Sequence, residues 1–219
     1  MRWLGHASFY LESPEGVRLV TDPFGPEVFP VPSVNADIVT ISHEHFDHNH
    51  LDGIKGEPQV WRGLTPDGAD WENFDKSFKD IHAYTVPAYH DKNEGSQRGK
   101  NAVFVLEMGD MRLVHLGDLG HLLNEEQVKQ IGRVDLLMLP VGGYFTIDAE
   151  EAWQIIEALK PKVIVPMHYL VEGMENFPIA GVDNFLGDRK NVRHFEEIDL
   201  SSVKLPEQQE IWVFERSKS

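Results

Sequence analysis

The sequence predicts a mixed α/β chain of the α+β kind, in which β-rich halves are joined by a few helices. Three observations predict it. Short apolar and β-branched runs bounded by turn residues recur along the 219 residues, the mark of strands. Two segments of the second half carry both a capping start and a stop, the mark of helices. Four of the apolar runs end in candidate ligands, as a shared cleft at one edge of a sheet would produce, because strand tips are rigid while the loops beyond them vary.

Trp3 to Leu11 and Val17 to Thr21 read as two strands joined by the turn Ser13-Pro14-Glu15-Gly16. The second halts at Asp22-Pro23, where proline stops the pairing. Gly5-His6-Ala7 falls inside the first strand, and His6 is either a packed core histidine or a group beside a metal. Asp22 is either a turn residue before proline or a carboxylate that orients a ligating histidine. Phe24 to Ser33 holds three prolines and a glycine, which predicts an irregular loop forming one wall of a cleft.

Ile38 to Ser42 predicts a buried strand, and the backbone turns where His43-Glu44-His45-Phe46-Asp47-His48-Asn49-His50 begins. His43 and His45, two apart, point the same way from an extended backbone, whereas the adjacent Asp47 and His48 point elsewhere. One stretch therefore offers two pairs of ligands aimed at two neighbouring places. The mixture of imidazole and carboxylate suits zinc and harder divalent metals. A solvated, His-rich turn is the plainer alternative, and the density of the pattern directly after an apolar strand weighs against it.

From Leu51 to Trp61 no clean period is visible, and Thr65 to Asp80 is polar with scattered Trp71, Phe74 and Phe78, so no element is assigned there. Ile81 to Pro87 predicts a strand that ends in Ala88-Tyr89-His90-Asp91. Lys92 to Lys100 is a charged surface loop at the mouth of the site, where Arg98, Lys100 and Asn101 either bind an anionic group or are simply solvated. Ala102 to Met108 and Met111 to Leu116 form a hairpin about Gly109-Asp110, and the second strand delivers His115 and then Gly117-Asp118-Leu119-Gly120-His121.

Asn124 caps a short helix with Gln127 in capping-box position and Gly132 as its stop. Asp135 to Val141 is a strand ending at Gly142-Gly143, beyond which Tyr144 reaches the cleft or only packs. Asp148 and Glu151 start a second helix, with Ala152, Ile155, Ile156 and Leu159 on one face and Pro161 past its end. Val163 to Met167 is a strand with His168 at its tip. Val182 to Lys190 reads as helical and Ile211 to Phe214 as a last strand.

No linker divides the chain, so one domain over residues 1–219 is expected, long enough to bury a substantial core. Cysteine is absent, and any metal must be held by His, Asp or Glu. The formal net charge of −16 argues against nucleic acid as a partner and for a small-molecule substrate. No apolar run reaches the length that spans a bilayer, and the residues after Met1 alternate rather than form an apolar export core. A cytoplasmic protein without a membrane partner is expected; the oligomeric state is not legible.

The spacing HxHxDH, filled by His43, His45, Asp47 and His48, closely resembles the signature of the metallo-β-lactamase superfamily. The resemblance runs in the family's order from Gly5 to about Tyr169, through His90, Gly117-Asp118 and Pro166-Met167-His168-Tyr169. Within the superfamily the sequence is similar to the compact lactonase-like, metal-dependent hydrolase branch that includes ascorbate-phosphate lactonase, whose members also open with a Gly-His-Ala/Ser strand followed by Asp-Pro. It lacks the helical domain of glyoxalase II, the basic arm of ribonuclease Z and the flavodoxin-like appendage of the flavo-diiron proteins.

The resemblance implies a four-layer αββα sandwich. It places one metal on His43, His45 and His90 and a second on Asp47, His48 and His168, with Asp118 as the bridge. Two divalent ions are implied, zinc first, with manganese and iron as alternatives. The implied activity is that of a metal-dependent hydrolase whose metal-activated hydroxide attacks a small, anionic ester, lactone or phosphodiester, with Asp47 doubling as the catalytic base. Two competing readings keep the same ligands: an iron-dependent oxidoreductase and a non-catalytic metal-binding or sensing protein. His115 and His121 fall outside the ligand set as supporting residues, and His50, His82 and His194 as surface or packing residues. Charge supports two ions separately: two carboxylates and one hydroxide against two divalent ions leave a cationic site that favours phosphate or carboxylate.

Overall fold

The computed structural model describes residues 1–217. The first third of the chain folds into β1 (Arg2–Gly5), β2 (Ser8–Glu12), β3 (Arg18–Thr21), β4 (Val34–Asn35), β5 (Ile38–Ile41), β6 (Ile54–Lys55) and β7 (Gln59–Arg62). These build a five-stranded sheet in the order β1-β2-β3-β5-β7, with β4 and β6 as a separate two-stranded ladder. The remainder supplies β8 (Asp75–Phe78), β9 (Ile81–Tyr89), β10 (Lys100–Met108), β11 (Met111–His115), β12 (Leu136–Pro140), β13 (Val163–Met167), β14 (Val192–Phe195) and β15 (Glu210–Phe214). They form an eight-stranded sheet ordered β14-β15-β13-β12-β11-β10-β9-β8.

The period-2 pattern decides how the sheets pack, because neighbouring residues of a strand face opposite sides. Trp3, Leu19 and Ile38 enter the main core together with Val103, Val105 and Leu113 of the larger sheet, so the two sheets share one interior. Their chain neighbours Leu4, Val20 and Val39 point outward into a second cluster with Phe24, Phe29 and Met174. The α helices are α1 (Glu125–Ile131), α2 (Ala149–Leu159) and α3 (Val182–Leu186). Helix α2 buries the stripe Ala152, Ile155, Ile156 and Leu159, and stacks Trp153 on Phe185 of α3 with centroids 4.7 Å apart. The two face-to-face sheets of the αββα sandwich that the family resemblance implies are what forms. Its outer layer on the five-stranded side is irregular chain plus the β4–β6 ladder.

Both capping boxes form with both arms, Asn124 with Gln127 and Asp148 with Glu151. Elsewhere the structure differs from the expectation. The stretch 3–11 is a hairpin, β1 against β2, because Gly5 (φ 125°) and His6 (φ 54°) take left-handed backbone that a strand cannot pass through. His6 thus sits at a tight turn. The loop 24–33 covers the outer face of the smaller sheet with Phe24, Val28 and Phe29, driven there by its apolar side chains, and does not wall the cleft. Strands β6, β7, β8 and β14 carry no clean alternation and owe their pairing to neighbours. Helix α3 stops at Leu186 because Gly187 turns left-handed at φ 52°.

Strand direction fixes where chemistry can gather. Strands β1, β3 and β5 run the same way, since β1 and β3 are each antiparallel to β2 and β3 is parallel to β5. The same reasoning aligns β9 with β11 through β10, and β11 with β12 and β13. The C-terminal ends of each set meet at one edge of the sandwich. Backbone bonds join the two edges: Ala102 N–H donates to Ser42 O over 3.0 Å and His168 N–H to His6 O over 3.1 Å.

Candidate metal centre

Six strand ends deliver the residues of the site: β1 leads to His6, β3 to Asp22, β5 to His43, β9 to His90, β11 to Asp118 and β13 to His168. Ligand atoms of His43, His45 and His90 lie within 4.8 Å of one another, as do those of His6, Asp47, His48 and His168. Asp118 stands between the two groups. Its Oδ2 is 3.2 Å from His90 Nε2, 4.0 Å from His43 Nε2, 3.2 Å from His48 Nε2 and 3.3 Å from His168 Nε2.

Hydrogen bonds fix how the histidines present themselves. Ser42 Oγ donates to Asp22 Oδ2 over 2.5 Å and accepts from His43 Nδ1 over 2.9 Å, which leaves the His43 Nε2 lone pair bare. Asp22 Oδ2 also takes His48 Nδ1–H over 3.0 Å, so His48 Nε2 faces the interior in the same way. A histidine whose far nitrogen is engaged by a carboxylate or hydroxyl is oriented for a metal. Among the described residues, His43 Nε2, His48 Nε2 and Asp118 Oδ1 are buried without a hydrogen-bond partner. Such orphaned polar atoms are costly in a protein interior, and a divalent cation would satisfy them together. The donor set, imidazole nitrogens and carboxylate oxygens without a thiolate, fits zinc and harder ions.

The charges of the cluster are coupled, and Asp118 and Asp47 raise His48 well above the ordinary imidazole value despite its burial. Burial opposes ionisation of Asp118, yet His168 and His48 outweigh it and hold the carboxyl well below its ordinary range. Asp47 is likewise held far down despite burial, by His48 and by its bond from His6. His6 is lowered to about 4 by burial and by His168, and His43 is pushed well down by burial and by His48. The carboxylates are therefore charged while His6 and His43 are neutral.

Above these groups opens a cleft of about 490 Å³. His45, Asp47, His90, Asp118 and His168 form its floor, and Phe46, Phe145, Phe177 and Arg98 stand around it. Of the three loop residues weighed for anion binding, only Arg98 reaches the cleft. Lys100 Nζ is taken by Asp70 at 2.8 Å and Ala69 O at 2.7 Å. Asn101 is buried and ties Leu116 O to the Asp118 N–H, so it shapes the ligand turn. His115 is a strut under the same turn, bonded to Ala7 O at 2.8 Å and Gly117 N at 3.2 Å. His121 Nε2 accepts from Tyr89 N–H at 3.1 Å, bracing the end of β9. His82 lies between Asp75 and Glu107, and His50 near Asp52, both outside the site. Tyr144 is exposed and lines a smaller adjoining cavity.

Sequence reasoning undervalued three residues. His6 meets Asp47 through Nε2 to Oδ2 at 3.2 Å, which a glycine just before it in an apolar run could have signalled. Ser42 carried no signal. Asp91 organises the loop after His90, a role that shows only in its backbone bonds.

The family described as beta-lactamase superfamily domain matches residues 1–168, a span that contains every member of the cluster. A UPF0173 metal-dependent hydrolase of Thermococcus onnurineus is 30% identical over 198 residues, covering 77% of this chain and 84% of that protein. Among solved structures, one described as a candidate Zn-dependent hydrolase of the metallo-beta-lactamase superfamily from Thermotoga maritima aligns with a TM-score of 0.78 at 35% identity, covering 97% of this chain and 96% of that one. CmlA, a diiron beta-hydroxylase from Streptomyces venezuelae, aligns with a TM-score of 0.57 at 11% identity over 76% of this chain and 44% of its own, and shares the fold alone. With the sandwich, the histidine-aspartate cluster at its edge and these matches together, the chain belongs to the metallo-β-lactamase superfamily, among its metal-dependent hydrolases.

Proposed function

We propose that the protein hydrolyses a small anionic ester, lactone or phosphodiester with a pair of divalent ions, zinc first among them. His43, His45 and His90 would hold one ion, and Asp47, His48 and His168 the other, with Asp118 shared. One observation carries the reading: Asp118 Oδ2 lies 3.2 Å from His90 Nε2 on one side and 3.2 and 3.3 Å from His48 and His168 Nε2 on the other. When bound, two divalent ions supply a water acidified toward a pKa of ~7 and a Lewis acid for the electrophilic oxygen.

The chain's own residues do the rest. Asp22 and Ser42 lock the imidazoles with Nε2 inward. Asp47 reaches the cleft, where its carboxylate would accept the proton of an attacking water, while His6 Nε2 orients Oδ2 from 3.2 Å. Phe46, Phe145 and Phe177 narrow the approach of bulk water. A cleft of about 490 Å³ accommodates a small molecule, which we propose as the partner in a cytoplasmic setting. No helix among the described residues is long and apolar enough to cross a membrane.

Metal analysis of protein purified without added metal, followed by assays on phosphodiesters, lactones and thioesters, tests the proposal. Two ions per chain and turnover of at least one class are expected. Asp118→Ala should lose metal and slow turnover by roughly 1000-fold, the loss of several kcal/mol of charge stabilisation. Full dinuclear loading of that variant would refute the shared position. Stoichiometric redox-active iron without hydrolysis would make the protein an oxidoreductase, and full loading without turnover a sensor.

A further inference from the structure

We infer that Arg98 selects the substrate, pairing with a carboxylate that the substrate carries at a distance from its scissile bond, with the apolar part between them lying against Phe145 and its neighbours. The inference rests on the hydrolase reading for the bond that breaks. It adds where the substrate's own charge sits and what recognises it.

The loop that bears Arg98 is exposed, yet its backbone is fixed from within. Asp91, the residue after His90, is buried, and its Oδ1 accepts N–H groups from Asn93 at 2.7 Å and Gly95 at 3.1 Å. Its Oδ2 accepts from Gln97 at 2.9 Å and Arg98 at 2.7 Å. Four charge-assisted bonds to one carboxylate wrap the segment around it, and Gly99 closes the loop by donating to Gly95 O at 2.8 Å and accepting from His90 N–H at 3.0 Å. Arg98 is thereby held in place relative to His90. A residue that only needed solvation would not require such a mount.

Among the described residues, the guanidinium that this mount presents has no acidic partner. The cations around it are engaged: Arg62 by Glu44, Lys100 by Asp70 and Lys92 by Glu151. Arg98 makes no ion pair among the described residues, although the chain has 36 acidic side chains against 20 basic ones. It lies 5.7 Å from the ring centroid of Phe145, within cation–π reach, and both line the cleft above the cluster. The carboxylates of that cleft are accounted for: Asp47 and Asp118 by the cluster, Glu44 by Arg62. One uncompensated positive charge remains.

A guanidinium matches a carboxylate in charge and in its planar, two-toothed geometry. A phosphate monoester dianion would be only half balanced by it. The space around Arg98 is aromatic: Phe46 is 59% exposed at the rim, with Phe145 and Phe177 lining the same cleft. A substrate with an alkyl or aryl body and a terminal carboxylate would cover those rings, place its charge on Arg98 and leave its ester or lactone group over the floor.

The test uses two near-isosteric esters, 4-nitrophenyl hexanoate and mono-4-nitrophenyl adipate, on zinc-loaded protein, with calorimetric titration of hexanamide and the monoamide of adipic acid as a readout apart from turnover. The wild type should prefer the adipate ester in kcat/KM and bind the monoamide of adipic acid more tightly than hexanamide. Arg98→Gln should reduce both preferences by about 10–100-fold, as expected for a lost charged hydrogen bond, whereas Lys100→Gln should keep them. If esters are hydrolysed and the preferences survive Arg98→Gln, the inference falls while the hydrolase reading stands. If no ester is hydrolysed yet the binding preference is present and depends on Arg98, the carboxylate site stands and esters are struck from the proposed substrate classes. Equal weakening of both ligands would reduce Arg98 to a structural part of the loop, and a phosphonate-ended ester outcompeting the adipate ester would overturn the carboxylate assignment.

Discussion

The carboxylate of Asp22 accepts a hydrogen bond from His48 Nδ1 over 3.0 Å, and the same oxygen accepts from Ser42 Oγ, which in turn holds His43 Nδ1. One fully buried carboxylate thus orients a histidine in each of the two proposed ligand groups. Asp22→Asn should therefore weaken both proposed sites together, lowering metal affinity by roughly 10–100-fold, the usual effect of losing such a partner. Competition with a chelator, followed for each equivalent of metal, measures it. Loss confined to one equivalent would show that the coupling through Ser42 carries nothing.

His90 and His121 are both close to the end of β9 but do different work. His90 Nε2 faces Asp118, whereas His121 spends Nε2 on the Tyr89 N–H and Nδ1 on Leu122 O. His90→Ala should remove at least one equivalent of bound metal, and His121→Ala should leave the metal content near that of the wild type. The opposite order, read by metal analysis of the two purified variants, would mean that the ligand has been misassigned.

Gly120 permits a close approach that no side chain could share. A Cβ at that position would lie 2.3 Å from the backbone carbonyl carbon and oxygen of His90 and 2.4 Å from the Asp91 nitrogen. Backbone cannot yield as a flexible side chain does, so Gly120→Ala should cost about 1–3 kcal/mol of stability by overpacking and displace His90 from Asp118. Denaturant midpoints and metal content should fall together. A variant with unchanged metal binding would show that the two turns move apart without consequence.

Arg18 and Asp37 give a pH-dependent contribution away from the cluster. Arg18 holds the carboxylate of Asp37 by Nε at 3.0 Å, Nη2 at 2.8 Å and its own backbone N–H at 2.9 Å, which lowers the Asp37 carboxyl from 3.8 to about 2. The folded value lies below the unfolded one, so this stabilisation is complete above the ordinary carboxylate range and is lost as pH falls through about 2. Because both side chains are partly exposed, Arg18→Gln should cost only ~1 kcal/mol near neutrality. Urea unfolding of wild type and variant across pH should show the difference shrinking between 3.8 and about 2. A difference unchanged at the acid end would exclude the ion pair as its source.

What the sequence by itself determined was local. The HxHxDH string, the two capping boxes and the Gly109 turn each depend on residues within a few positions of one another, and backbone geometry over so short a span follows from residue type and spacing. Tertiary structure alone decided the relations between distant segments: that His6 turns back to meet Asp47, that Asn101 serves the Asp118 turn while Lys100 pairs with Asp70, and that Arg98 is left facing the cleft. Those outcomes depend on which strand ends share an edge and how closely two backbones approach, as at Gly120 and His90, and neither quantity is carried by any single stretch of chain.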